Sequence, residues 1–458
     1  MNPPASPFLD PDHWSYRVLR RLDHAGVLPR GADVARQSIP QEEIAAWLQI
    51  ADSLRGTRYA HLFRSEFKPT RPDTVTVLER SLQVGFGWTK DLVAPGVGYD
   101  SAHWQGSRLL PDESEYLYGL RFAIGFAPHL AAAGDFTGEL DEWRWQANAT
   151  TGYLGAWVGR RELGWGVGDA GGLVLNRHEL LGGGLYLTKP WRVPVLGATR
   201  FEMHLARIDN IINFQNVQRP TEPWFWTARG SIAPFERLRI GINRGMMFGG
   251  AGNLPVTFSR VAKNLIGIYT DEQENSFANQ VMSIDFRWRT PLSITAYLDW
   301  GSDDAAGAFA DVPGILGGLE WVHVDSTFDV ALGAEYLQFN RACCGNSIWY
   351  RNAWFRGSWA NGDQLLGHPL GGHGREWRVF GNGSAGSGAL SLQGAVYGRR
   401  RRAENILVPL QQGKSMGVSG GVDVGFRTRT RIRLHGEAEW GSNDWTASRL
   451  LVSVRNYF

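Results

Sequence analysis

Four neighbouring arginines, Arg399, Arg400, Arg401 and Arg402, form the densest charge in this 458-residue chain, with Glu404 just behind them. Guanidinium forks match the paired oxygens of carboxylates and phosphates, so such a run in a surface loop could grip an acidic glycan or the phosphates of lipopolysaccharide. A solvated loop tip is the alternative. A second group is aromatic: Trp349, Tyr350, Trp354, Phe355 and Trp359. Flat rings stack on sugars, and the same residue types form the belts of membrane barrels at the water boundary. Trp349 and Tyr350 read as loop residues open to a sugar, whereas Trp354 and Trp359 read as upper girdle.

Other constellations carry less. Gly164, Gly166, Gly168 and Gly171 approach the spacing of a phosphate-cradling loop. That fingerprint requires a strand before it and a helix after it. Residues 151–159 read instead as a barrel strand, so a close-packed turn is expected. His178-Glu179 lacks the second histidine of a zinc helix, and zinc needs three or four ligands. The pair reads as facing a lumen. No Ser, His and Asp set sits on the strand-to-helix turn of a nucleophile elbow. The residues therefore point to no enzyme, no metal and no cofactor. Cys343 and Cys344 are the only cysteines, which excludes a disulfide framework and a CxxC metal site. A vicinal disulfide and two free thiols both remain open.

The elements that hold these residues are strands. In the last segment Leu450, Val452 and Val454 point one way and Arg449, Ser453 and Arg455 the other, with Leu451 the exception, before a terminal Phe458. Met282, Ile284, Phe286 and Trp288, then Leu292, Ile294, Ala296, Leu298 and Trp300, alternate with Ser283, Asp285, Arg287, Arg289, Ser293, Thr295, Tyr297 and Asp299 across a Thr290-Pro291 turn. Phe328, Leu332 and Tyr336 oppose Asp329 and Glu335; Ile432, Leu434 and Trp440 oppose Arg433, His435, Glu437 and Glu439. An apolar face against a charged one, repeated along the chain, describes a wall between lipid and water.

Composition agrees. The chain has 57 glycines, 20 tryptophans and 6 methionines. Its mean hydropathy of −0.26 suits a barrel, which needs apolar residues on one face only. No stretch approaches the ~18 uncharged residues of a spanning helix. A formal charge of +2 gives no case for a nucleic-acid partner. Residues 1–5 begin no basic-then-apolar export run, so a membrane reading requires a signal removed or a start elsewhere.

Residues 1–70 differ from the rest. Asp12 could cap a helix carrying Trp14, Val18, Leu19 and Leu22, with Gly26 as its stop. Ser38 and Gln41 have capping-box spacing ahead of Ile44, Ala45, Leu48 and Ile50, and residues 59–67 suggest a third helix. Residues 68–72 read as a linker into residues 71–458. Counted back from Phe458, the short links at 290–291, 323–326 and 428–430 fall on one side. The long links at 244–278, 301–314, 340–374, 399–417 and 441–448 fall on the other. Outer-membrane barrels put short turns in the periplasm and long loops outside, and the count reaches roughly 18 strands, an even number. The expected fold is all-β, a large antiparallel transmembrane β-barrel with a small N-terminal α-helical region on the periplasmic side.

Several segments together resemble the capsule-assembly Wzi family of outer-membrane proteins. Arg161-Glu162-Leu163-Gly164-Trp165-Gly166 leads into Gly172-Leu173-Val174-Leu175-Asn176-Arg177, similar to the family's Trp-Gly stretch and following strand. Phe235 to Arg244, then Phe248-Gly249-Gly250, resembles its Pro-Phe-x-x-Leu-x-Ile-Gly-x-x-Arg strand and glycine-rich exit. Asn264-Leu265-Ile266-Gly267, Asn279-Gln280-Val281, Phe286-Arg287-Trp288-Arg289, Gly367-His368-Pro369-Leu370-Gly371 and Asp12-His13-Trp14-Ser15-Tyr16 fit further family positions. Asn456 departs, standing where the barrel-assembly signal usually has an apolar residue. The resemblance implies an integral outer-membrane protein whose inner mouth meets a helical bundle. It also implies a non-enzymatic, lectin-like role in anchoring or organising capsular polysaccharide at the cell surface. The polysaccharide and outer-membrane lipid are then the expected partners, with Trp349, Tyr350, Arg399, Arg400, Arg401 and Arg402 as candidate contacts. A porin-like channel for small polar or saccharide solutes is the alternative.

Overall fold

The structure is a computed structural model and describes residues 5–9, 13–69, 74–90, 114–126, 129–137, 143–209, 221–266, 277–303, 313–340, 349–350, 358–361, 364–386, 388–403, 405, 413–426, 429–442 and 444–458. Eighteen long strands form a closed antiparallel ring. In chain order they are β1 (Val75–Lys90), β2 (Ser114–Phe126), β3 (Leu130–Thr137), β4 (Trp143–Thr151), β5 (Leu154–Trp165), β6 (His178–Leu187), β7 (Gly197–Arg207), β8 (Trp224–Phe235) and β9 (Leu238–Phe248). The ring continues with β10 (Ala278–Arg289), β11 (Ile294–Asp303), β12 (Pro313–Val324), β13 (Phe328–Phe339), β14 (Gly374–Ala385), β15 (Leu390–Arg401), β16 (Gly413–Phe426), β17 (Thr430–Gly441) and β18 (Thr446–Tyr457). Each pairs with the next, and β18 closes on β1 with Val454 opposite Val84. Closure leaves no unpaired edge strand among the described residues, which a lipid environment demands.

The alternation read from sequence is the alternation observed. Leu332, Tyr336, Ile432, Leu434, Trp288 and Leu298 are exposed on the outer wall, while Asp285, Thr295, Asp299, Asp329, Glu335, Glu437 and Glu439 are buried inward. Leu451 also faces in, and is buried. So broad an apolar exterior belongs against lipid. One end carries the tight links, among them 152–153, 236–237, 290–293 and 325–327; the other carries long ones such as 208–223, 249–277 and 340–373. The link after β17 is only 442–445, shorter than the sequence suggested, because Thr446 already pairs with Trp440. At the tight end, the Asp325 side chain accepts the Thr327 and Phe328 N–H groups at 2.7 and 2.9 Å. These bonds favour the charged carboxylate and hold its pKa below the usual range.

Three helices fill the lumen at the short-turn end: α1 (Trp14–His24), α2 (Gln41–Arg55) and α3 (Tyr59–Glu66). Trp14, Val18, Leu19 and Leu22 share one buried cluster with Ile44, Leu48 and Phe63, and with Val322, Ala331 and Tyr457 of the barrel. Gly26 follows α1 at φ 76°, the left-handed conformation that ends helices. The helix starts differ from expectation. Asp12 lies outside the described residues, and the cap of α1 is His13, whose side chain accepts from the Ser15 N–H. Ser38 is not a cap: its hydroxyl accepts from Arg161 Nε at 2.7 Å, and Pro40 precedes α2. The first N–H groups of α2 are met instead from residues 5–9, Gln41 N–H by Pro7 O and Glu42 N–H by Ser6 Oγ, both at 3.0 Å. Ile50, read as part of the apolar face, is exposed. A fourth short helix, α4 (Phe258–Ile266), lies in the link between β9 and β10.

Candidate functional site

The lumen is filled from both ends. From the short-turn end, the polar face of the helical region meets the charged inner wall. Arg20 Nε and Nη2 donate to Glu320 at 3.0 and 2.8 Å. Arg21 pairs with Asp329, and Asp23 with Arg239 and Arg287. Arg229 of β8 lies between Asp33 and Asp285, donating to them at 3.0 and 2.6 Å. Arg200 pairs with Glu43 at 2.5 Å. Burial alone would push the Asp33 carboxyl up, but Arg229 outweighs it and holds the group well below the usual range. Glu66 closes α3 by accepting from His13 Nε2 at 2.7 Å, Trp14 Nε1 at 2.9 Å and Arg431 Nε of β17 at 2.7 Å. Sequence reasoning found the lumen charges but not these partners. Their signal was the set of charged residues through 20–66, Arg20, Arg21, Asp23, Asp33, Glu43 and Glu66, against charges of opposite sign on the inward face of the strands.

From the long-loop end, the segment between β5 and β6 turns inward. Its glycines permit a backbone crossing: a Cβ on Gly166 would come within 2.3 Å of Gly172 N. The turn expected there is thus a fold into the barrel. It reaches the helical region, where Gly168 O accepts from Arg20 Nη1 at 2.9 Å. Asp169 accepts from Arg378 Nε at 2.7 Å, and Asp169 N–H donates to Glu335 at 2.8 Å. His178 is buried, its Nε2 2.9 Å from Asn361 Nδ2.

The aromatic candidates roof this segment. Trp349 and Tyr350 are buried, not open to solvent. Tyr350 OH donates to Leu173 O at 2.7 Å and accepts from His368 N–H at 2.8 Å; Trp349 packs on Phe339 with ring centroids 4.6 Å apart. Trp359, expected in the girdle, is buried in the same cluster, and its Nε1 donates to Val174 O at 2.7 Å. The physical reason is area: large rings over an inward-folded Leu173-Val174-Leu175 bury more apolar surface there than at a lipid boundary. Burial lowers the pKa of His368, in this roof, to about 4. Trp354, Phe355, Cys343 and Cys344 lie outside the described residues, as does Glu404.

The arginine run is not a loop. Arg399, Arg400 and Arg401 end β15, so their side chains alternate. Arg399 and Arg401 are buried inward: Arg399 donates to Glu376 and Glu439 at 2.6 and 2.8 Å, and Arg401 to Glu439 at 3.0 Å. Arg400 and Arg402 are exposed. A four-residue charge run looked like one group because strand pairing, not spacing, separates its members. The pattern Gly417-Val418-Ser419-Gly420-Gly421 lies mid-strand in β16, with none of the strand-to-helix turn that a nucleophile requires. A cleft of about 10 Å³ lined by Arg17, Gln393, Asp423, Arg433 and His435 is far below the ~300–1,000 Å³ of ordinary ligand pockets.

Comparison with known proteins places this architecture. The structure of Wzi from Escherichia coli, described as an outer-membrane protein involved in group 1 capsule assembly and a carbohydrate-binding β-barrel, superposes with a TM-score of 0.73. That match covers 98% of this chain and 99% of that one at 16% identity. OpdQ from Pseudomonas aeruginosa gives 0.47 at 10% identity over 84% of this chain and 98% of its own, and OpdK from the same organism 0.47 at 12% over 85% and 100%. No curated protein sequence matches the chain. The model of the capsule assembly protein Wzi family matches residues 112–442, most of the chain and most of the strands described above. The chain belongs to the capsule assembly protein Wzi family.

Proposed function

We propose that this protein is an integral outer-membrane barrel that binds polysaccharide with its long-loop end and helps anchor capsular polymer at the cell surface, without catalysing a reaction. The short-turn end and residues 1–70 face the periplasm, and the long loops face outward. The observation that carries this reading is the double filling of the lumen. Helices from one end and residues 166–177 from the other meet at Arg20 and Gly168, and Trp349, Tyr350 and Trp359 roof them. A lumen so filled by the described residues argues against a porin-like path, and work at this end then falls to its outer surface. Family membership, and the carbohydrate binding described for the Escherichia coli protein, support polysaccharide as what that surface takes.

The candidate residues then divide. Trp349, Tyr350, Arg399 and Arg401 shape the roof and rim, while Arg402 and the exposed Phe258 of α4 offer a guanidinium and a ring face to polymer. Many such weak contacts along one chain give avidity beyond any single site. The test is binding of the cognate capsular polymer by detergent-purified protein, alongside conductance in a planar bilayer. F258A/R402S is expected to weaken binding at least threefold with conductance silent throughout. A steady porin-sized conductance in the wild type, or no polysaccharide binding, overturns the proposal.

A further inference from the structure

The outer wall carries a row of cations that the lumen does not use. Arg375 of β14 stands opposite Arg400 of β15, and Arg400 opposite Lys414 of β16. All three side chains are exposed and point away from the lumen, since their sequence neighbours Glu376, Arg399, Arg401 and Ser415 are buried inward. Strands in a sheet lie about 4.8 Å apart, so the three form a line roughly 10 Å long. Two residues toward the barrel middle on the same face stand Trp377, Gly398 and Met416, and beyond them Val379, Val396 and Val418. The Trp377 indole lies across Gly398, where a Cβ would meet its Nε1 at 2.4 Å. The row therefore caps an apolar strip at an aromatic boundary, the level at which lipid headgroups begin.

Charge accounting sets the row apart as a cluster. Two outward arginines elsewhere on this wall have carboxylates beside them: Arg160 has Glu179 at 3.6 Å, and Arg207 has Glu222 at 3.6 Å. Arg375, Arg400 and Lys414 have no carboxylate within ion-pair distance among the described residues, whereas inward Arg399 and Arg401 share Glu376 and Glu439. Three adjacent like charges repel one another, and an anion placed between them removes that repulsion. Two guanidinium forks and an ammonium supply the donors a phosphate takes.

We infer that Arg375, Arg400 and Lys414 form a binding site for the phosphate-bearing headgroup of a lipid in the surrounding leaflet, with Trp377 bordering its sugar or glycerol portion. A lipid is favoured over a soluble polymer because the row lies on the lipid-facing wall directly beyond the apolar strip, not on the roof over the lumen. The site is independent of polysaccharide binding at the long loops.

The test titrates the full chain in neutral-detergent micelles with a diphosphoryl glycolipid, its dephosphorylated counterpart, inorganic phosphate and an acidic polysaccharide. The wild type is expected to bind the diphosphoryl lipid at least tenfold tighter than the dephosphorylated one. R375S/R400S/K414S is expected to lose that preference, and R207S, whose charge is already paired, to keep it. In wild-type protein the diphosphoryl lipid should also slow acetylation of Lys414 at least fivefold, a readout that does not depend on a variant folding. Equal binding of the two lipids, an unprotected Lys414, or protection by acidic polysaccharide but not by lipid overturns the inference. Protection by inorganic phosphate at the same concentration reduces the site to a free-anion site and overturns the lipid assignment.

Discussion

Replacing Glu66 tests whether the helical region is held in the lumen by charge. Its carboxylate is buried and both oxygens are used, Oε1 by Arg431 and Oε2 by His13 and Trp14. Glu66→Gln keeps the shape but turns an NH2 toward donors on one side or the other. Removing one member of a buried charge pair costs roughly 3–5 kcal/mol. Arg431 retains Asp423 at 2.8 Å, so the low end applies, about 3 kcal/mol, or roughly a hundredfold in the opening equilibrium of the docked helices. The assay is amide hydrogen exchange in detergent. Amides of α1 and α3 should exchange about a hundredfold faster in E66Q while those of β10 to β13 stay unchanged. Acid should act in the same direction. Burial raises the Glu66 pKa, but Arg431 and His13 outweigh it and leave the group below its ordinary value. Its contribution is therefore complete above the ordinary carboxylate range and is lost as pH falls through the lower folded value. Wild-type α1 and α3 should show that acid limb, and E66Q should lose the part of it that Glu66 supplies. Exchange within threefold of wild type in E66Q, with the acid limb intact, would refute the charge-anchoring argument.

The other predictions concern the roof and the wall. His368 falls from an ordinary 6.5 to about 4 in the closed roof, so protons favour the open form. Closure over residues 358–361 and 364–373 should be full above pH 6.5 and weaken down to about pH 4, by on the order of 3 kcal/mol, and H368N should flatten that profile in proteolysis. Gly245→Val meets the Trp359 ring, which lies 2.6 Å from where a Cβ would stand. The overpacking should cost roughly 1–3 kcal/mol and speed cleavage near Trp359 without changing the barrel's heat-modifiable gel mobility. Arg229→Met leaves Asp33 and Asp285 facing each other unpaired, which should cost roughly 3–5 kcal/mol of unfolding free energy in urea. Asp33→Asn added to it should recover part of that loss, and no recovery would contradict the pairing.

The barrel was legible in the chain because a wall between lipid and water imposes a period of two on every strand, and that period is local. Leu332 against Asp329, Leu434 against Glu437 and Trp288 against Asp285 each announce their face without any partner. The apolar positions of α1 were legible for the same reason: Trp14, Val18, Leu19 and Leu22 follow the helix's own repeat. What lines up across strands was hidden. Arg399 to Arg402 read as one cluster, but pairing of β14, β15 and β16 sent Arg399 and Arg401 to Glu376 and Glu439 and set Arg400 beside Arg375 and Lys414. Likewise Trp349, Tyr350 and Trp359 carry the same composition whether they stack on a sugar, line a girdle or roof a lumen. Only the inward fold of residues 166–177, far away in sequence, supplied Leu173 O and Val174 O for them to bind. Alternation is a property of one strand; charge pairing and burial depend on which strands become neighbours, and that is decided when the ring closes.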